Sequence, residues 1–289
     1  MLDPSPHPDL VWLRPRGAQH MVEEVREKVI RAASYRPFEA EKRVFVIEAA
    51  EQMRDESQNA LLKTLEEPPD FVHLILLTSE PAQLLETIAS RCQPIDFAPL
   101  PPEAIEAQLA GAGSPDEIAT AARLSAGDPA RARFLLSDSG RSLRAVALEL
   151  ERSWQPLLKA AEEAGEEAED VARKALDEEA EVGVKRSAKD IGDEAKRAGR
   201  RRRTEVLDLA LELSGAWFRD LAATASGAED IVFNIDRVAE LESRAAALDP
   251  ACPRQAAELV QDTRRRLDLN VSEELALEAL AFRLERVFA

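Results

Sequence analysis

The chain has 289 residues, 45% apolar and 32% charged, with a formal net charge of −17. That length suits two or three domains, and that charge excludes a protein that coats DNA unaided, because binding phosphate needs a surplus of lysine and arginine. No apolar run approaches the roughly 20 residues of a membrane span, and "MLDPSPHPDL" lacks the basic-then-apolar order of a signal peptide.

In chain order, "LVWL" (10–13) is a short apolar run followed by the breakers Pro15 and Gly17. The apolar spacing of Val22, Val25, Val29, Ile30 and Ala33 predicts a helix over 22–33. "RVFVIEAAE" (43–51) contains the apolar run Val44 to Ile47, rich in β-branched residues, the pattern of a strand buried on both faces. "RDESQNALLKTLEE" (54–67) predicts a helix stopped by Pro68-Pro69. "HLILLTS" (73–79) predicts a second buried strand, "PAQLLETIASRC" (81–92) a helix, and "PIDF" (94–97) a short final strand. Strands alternating with helices imply a parallel sheet covered by helices.

Beyond "APLPP" (98–102) the strand signals fade. Residues 103–140 suit three short helices broken at Gly111–Pro115 and at Gly127-Asp128-Pro129, and the chain from about 141 onward reads as helical. The fold class is therefore α/β followed by all-α. Residues 162–181 hold ten acidic and two basic side chains, while 184–203 hold nine basic and three acidic. Two readings stay open: an antiparallel helix pair of opposite charge, or a solvated, partly disordered insertion. Val206, Ala210, Leu213, Trp217 and Leu221 form a helical stripe whose expected use is core packing. The run Arg200 to Arg203 reads as offsetting the acidic stretch rather than contacting DNA.

Cys92 and Cys252 lie far apart, and with His7, His20 and His73 they give no metal-ligand spacing, so neither a disulfide nor a metal site is expected. "VFVIEAAE" has the outline of a Walker B strand, which places a magnesium-binding acid at its end. A nucleotide hydrolase also needs G-x-x-x-x-G-K-[ST]. None of the eleven glycines precedes a lysine, so the phosphate cradle is absent from this sequence.

"VREKVIRAASYRPFEAEKRVFVIEAAEQM", "SQNALLKTLEEPPDFVHLILLTSEPAQLLETIASRCQPIDF" and "LDLNVSEELALEALAFRLE" resemble the delta-prime family of bacterial DNA polymerase III clamp-loader subunits. The resemblance is close over 7–100, looser over 101–140 and weak beyond. It implies a partial AAA+ nucleotide-binding-like domain over 1–98, a helical lid over 99–140, and a helical collar over 141–289 with the charged insertion at 160–203. The family's first strand, its P-loop or remnant, and a zinc-binding cysteine cluster precede the part matched here, so any zinc is expected only there.

In that family the arginine of "SRC" is an arginine finger. The resemblance makes Arg91 the group that reaches the γ-phosphate of ATP, which a neighbouring motor subunit holds with magnesium, with Ser90 and Cys92 supporting it. A guanidinium suits this task because it stays charged and offers a planar fork to phosphate oxygens. The bland reading of Arg91 is a cap on the last turn of its helix. Cys92 reads as a small packed residue rather than a nucleophile. The family comparison makes Glu48 and Ala49 a degenerate Walker B pair, since the catalytic acid would stand at Ala49. Thr78 and Ser79 fall where a first sensor would lie. Ala130 takes the place of the lid's sensor arginine, with Arg131 one position late. Glu48 and Glu51 have an equal alternative as loop caps or partners of Arg or Lys.

The implied function is a non-catalytic clamp-loader subunit that needs no cofactor of its own and has no intrinsic ATPase. The implied partners are the gamma/tau and delta subunits, the sliding clamp and, through the complex, primed DNA. The expected location is the cytoplasm, with the nucleoid through the replisome, and no membrane. The alternatives are a truncated gamma/tau-type ATPase and a helical scaffold that keeps a vestigial sheet.

Overall fold

The computed structural model describes residues 7–15, 19–181, 187–267, 269 and 271–288. It forms two compact units, Met1–Phe97 and Ala98–Ala289. Residues 1–6, Gly17, Lys185 and Arg186 lie outside the described residues.

The first unit is α/β. Strands β1 (Leu10–Leu13), β2 (Arg43–Ile47) and β3 (Val72–Leu76) form a parallel sheet in the order β1-β2-β3. The register sets Leu13 beside Ile47, and Ile47 beside Leu76. As the central strand, β2 buries Phe45, Val46 and Ile47. Each large apolar side chain removed from water contributes about 1.5–3 kcal/mol. Helix α1 starts at Val22–Glu24 and continues as a π-helix over Val25–Arg31, burying Val25 and Val29. Helix α2 (Asp55–Glu66) buries Leu61 and ends just before Pro68-Pro69, as expected.

Three expectations are corrected here. β3 is not buried on both faces: His73 and Ile75 are exposed, and Val72, Leu74 and Leu76 take the inward side. Residues 81–92 are not one helix. A 3-10 turn at Pro81–Gln83 is followed by extended backbone at Leu84 and Leu85, and only then by helix α3 (Glu86–Ala89). The break has a chemical cause, since the Leu85 N–H donates to the side chain of Gln58 at 2.8 Å instead of to a helical carbonyl. Residues 94–97 are not a strand. A strand exists only with a ladder partner, and Ile95 and Phe97 stand 72% and 90% exposed.

The second unit is helical among the described residues: α4 (Pro102–Gln108), α5 (Pro115–Leu124), α6 (Pro129–Leu136), α7 (Asp138–Leu148), α8 (Gln155–Glu181), α9 (Ala188–Ala225), α10 (Val238–Ala245), α11 (Ala251–Leu267) and α12 (Glu273–Phe288). The breakers fall where the sequence put them. Ser114 and Glu117 close a capping box before α5, and Asp128 caps α6. Gly127 has φ +88°, and a Cβ there would meet Pro99 at 2.3 Å, so both conformation and space demand glycine. Ala121, Leu124, Leu135 and Leu143 share one apolar cluster with Leu207, Trp217, Leu277 and Leu280. Part of 99–140 thus packs into the core of 141–289, while Ile105, Leu109, Ile118, Ala122 and Ala132 form a smaller cluster of their own. The stripe Val206, Ala210, Leu213, Trp217 and Leu221 is buried within it.

The oppositely charged segments form a hairpin of α8 on α9. Its seam is apolar and small: Leu157, Ala161, Gly165 and Leu176 face inward from α8, and Ile191, Ala195 and Gly199 from α9. Arg203 bridges to Glu162 at 3.4 Å and to Glu273 at 2.6 Å, while Arg201 and Arg202 pair with Glu205 along α9. Charge decorates this hairpin and packing closes it, since exposed ion pairs are individually weak.

Candidate functional site

The site residues read from the sequence fall on two parts of the first unit. One is the C-terminal edge of the sheet. Glu48, just past β2, accepts from Arg14 Nε at 2.9 Å and from Trp12 Nε1 at 2.9 Å. His20 Nε2 lies 2.7 Å from the Glu48 carbonyl oxygen. Ala49 takes the left-handed region at φ +50°, a conformation that strains a residue carrying a Cβ. This turn lets the Ala50 N–H donate to the Leu77 carbonyl at 2.8 Å, tying the ends of β2 and β3 together. Ser79 Oγ donates to Glu51 Oε1 at 3.2 Å, and the Thr78 hydroxyl accepts from the Glu80 N–H at 3.0 Å. Burial pushes the Glu51 carboxyl up, but hydrogen bonds from Thr78, Ser79 and nearby backbone more than offset it, leaving it below the ordinary range. The sensor-like pair therefore faces Glu51, while Glu48 turns to an arginine.

The other part is the corner where α2 ends and α3 begins. Ile88 is fully buried and pins α3 to the core, which leaves Thr87, Ser90 and Arg91 outward. Arg91 Nη1 donates to the Thr87 carbonyl at 2.8 Å and approaches Ser90 Oγ at 3.5 Å. Nη2 donates to Glu66 Oε1, in the last turn of α2, at 2.6 Å. The side chains of Arg91 and Glu66 remain 35% and 49% exposed. The guanidinium thus caps its own helix and bridges to the neighbouring one. Cys92 is half-buried against the sheet core, and burial pushes its thiol up, which suits packing rather than nucleophilic attack.

Gln58 organises this corner. Its Nε2 donates to the Met53 carbonyl at 3.0 Å while its Oε1 holds the Leu85 N–H. Sequence reasoning passed over it, although the signal was present. Gln58, Leu61, Leu62 and Leu65 share the inward stripe of α2, and a glutamine there must satisfy its amide inside. Glu66 was likewise read only as part of a motif.

In the second unit Arg131 is held by Glu212, with Nη2 to Oε1 at 2.7 Å. The Ala130 N–H donates to Asp128 Oδ1 at 2.7 Å in the first turn of α6. Among the described residues, no group of three or more His, Cys, Asp or Glu side chains is placed to hold a metal ion, and no helix is long and apolar enough to cross a membrane.

Residues 2–101 match the family described as DNA polymerase III, delta subunit. The chain is 38% identical over 106 residues to DNA polymerase III subunit delta' of Bacillus subtilis, covering 36% of this chain and 31% of that protein. It is 36% identical over 158 residues to subunit delta' of Pseudomonas aeruginosa, covering 52% and 47%. To DNA polymerase III subunit gamma/tau of Mycobacterium bovis it is 40% identical over 89 residues, covering 31% and 15%. In each case the match spans less than half the length of the relative. The family match spans the residues that build the corner just described.

Proposed function

We propose that this chain acts as a clamp-loader subunit of DNA polymerase III that supplies Arg91 in trans to ATP held by a neighbouring motor subunit. The observation that carries the reading is the surface position of Arg91, at the end of a short helix anchored by Ile88, within a segment similar to delta-prime subunits. Its present partners are an exposed carboxylate and a main-chain carbonyl, and the remaining guanidinium N–H groups can meet a phosphate. The helical second unit serves as lid and collar for assembly with gamma/tau and delta subunits. The complex loads the sliding clamp on primed DNA in the cytoplasm. ATP and magnesium act at the neighbours, and this chain contributes neither a nucleotide site nor hydrolysis of its own.

A gamma/tau-type ATPase is the second reading, favoured by the 40% identity to a gamma/tau protein over 89 residues. Glu48 committed to Arg14, and alanine at position 49, weigh against it.

The test is a loader reconstituted with this subunit, wild type or Arg91→Ala, measured for clamp- and DNA-stimulated ATP turnover. Arginine fingers contribute roughly 10³ to 10⁵ in rate at a single GTPase site. The whole ring should lose less, because other motor sites keep their own fingers. Arg91→Lys should rescue only in part, since an ammonium lacks the fork. Assembly with unchanged turnover at limiting and saturating ATP would overturn the reading.

A further inference from the structure

We infer that Glu66 is a positioning residue for Arg91, an inference that rests on the trans-finger reading above. Glu66 occupies the last turn of α2, where the helix dipole disfavours a carboxylate. The dipole of α2 therefore does not account for its placement. What it meets there is Arg91 Nη2 at 2.6 Å, from another element.

The donor inventory completes the argument. A guanidinium carries five N–H groups in a rigid plane. Thr87 and Ser90 engage Nη1, and Glu66 engages Nη2, so the orientation is set from two sides. Donors remain unspent for an incoming anion. A free arginine side chain carries substantial rotamer entropy, and this arrangement removes much of that freedom before any phosphate arrives. The pair is too exposed to act as a lock, because ion pairs in water are weak. Glu66 thus orients the finger without holding it back.

The experiment uses the reconstituted loader with subunits carrying Glu66→Ala, Glu66→Gln, Arg91→Ala, or Glu66→Ala with Arg91→Ala. ATP turnover is resolved into kcat and KM. Glu66→Ala should lower kcat about two- to five-fold, the size of effect exposed ion pairs exert. KM for ATP and the subunit's melting temperature should not change. Glu66→Gln should recover part of the loss, since its carbonyl oxygen still accepts from Nη2. In the Arg91→Ala background, Glu66→Ala should do nothing further. Three results overturn the inference: turnover unchanged by Glu66→Ala, turnover raised by it (a restraining contact), or an equal loss with Arg91 already removed. If Arg91→Ala is itself silent, the finger reading fails first, and the two failures are told apart by that single variant.

Discussion

Gly165 of α8 and Gly199 of α9 press against each other's backbone. A Cβ on Gly165 would stand 3.0 Å from the Gly199 carbonyl oxygen, and one on Gly199 would stand 2.8 Å from the Gly165 carbonyl oxygen. The close approach explains how two helices of strongly opposed charge pack on small residues, with their ionic side chains left to the outside. Gly192, on the same α9, meets nothing within 4 Å.

These two glycines of α9 should respond oppositely to alanine. Alanine gains about 1 kcal/mol over glycine in a helix interior. Gly192→Ala should show that gain as a higher melting temperature. At Gly199 the added methyl meets backbone, and overpacking costs about 1–3 kcal/mol, so Gly199→Ala should lower the melting temperature. Thermal unfolding followed by circular dichroism decides it. A rise for both variants would mean the seam is looser than described.

Arg144 and Asp236 should be the costliest ion pair to break. The guanidinium grips both carboxylate oxygens at 2.6 Å, and Thr120 donates to the same carboxylate at 2.9 Å. The two side chains are only 12% and 14% exposed. Removing one partner of a buried pair typically costs about 3–5 kcal/mol, so Arg144→Ala should fall near the low end of that range at pH 7. Burial raises the Asp236 carboxyl, but hydrogen bonding and charge from Arg144 bring it below the ordinary range. A depressed carboxylate contributes stability above its unfolded pKa, about 3.9, and loses it as the pH falls through the folded value. The gap between wild type and Arg144→Ala should therefore narrow below about pH 4 in urea titrations. A gap independent of pH would assign the loss to packing alone.

Asp9 should titrate late. Its buried carboxylate accepts the N–H groups of Phe38, Glu39 and Ala40 at 2.6, 2.8 and 2.9 Å. Burial alone would raise it, but the three backbone donors, with His7 nearby, lower it from 3.8 to about 2. Its contribution is present above the unfolded value and fades only as the pH drops toward 2. The amide resonances of residues 38–40 should report a midpoint near 2, and a midpoint at or above 4 would rule the arrangement out.

The helical periodicity of "SQNALLKTLEE", the apolar run before Glu48 and the Pro and Gly breakers after 98 were enough to locate β2, α2 and the helical second unit. These are local signals, written in the spacing of neighbouring residues. The segment ending in "SRC" also named its own relatives. The same local reading failed at 81–92, because a side chain from α2 takes the Leu85 N–H and breaks the helix there. It failed at β3, where burial depends on what covers each face.

The candidate site divides along the same line. Arg91 was legible as a residue type in a motif, but its partners were not. Glu66 stands 25 positions away and meets it only because α3 docks beside the end of α2. The buried cluster around Asp220, whose carboxylate accepts from Phe233 and from Asn234, gave no warning in sequence at all. Burial pushes that carboxyl up despite its donors. Outside 81–97 and the outer face of β3, sequence alone determined which segments are helix or strand and which faces are apolar, because those follow from backbone geometry over a few residues. Which polar groups satisfy one another was decided by tertiary structure, because a hydrogen bond depends on atoms within about 3 Å in space, however far apart they lie along the chain.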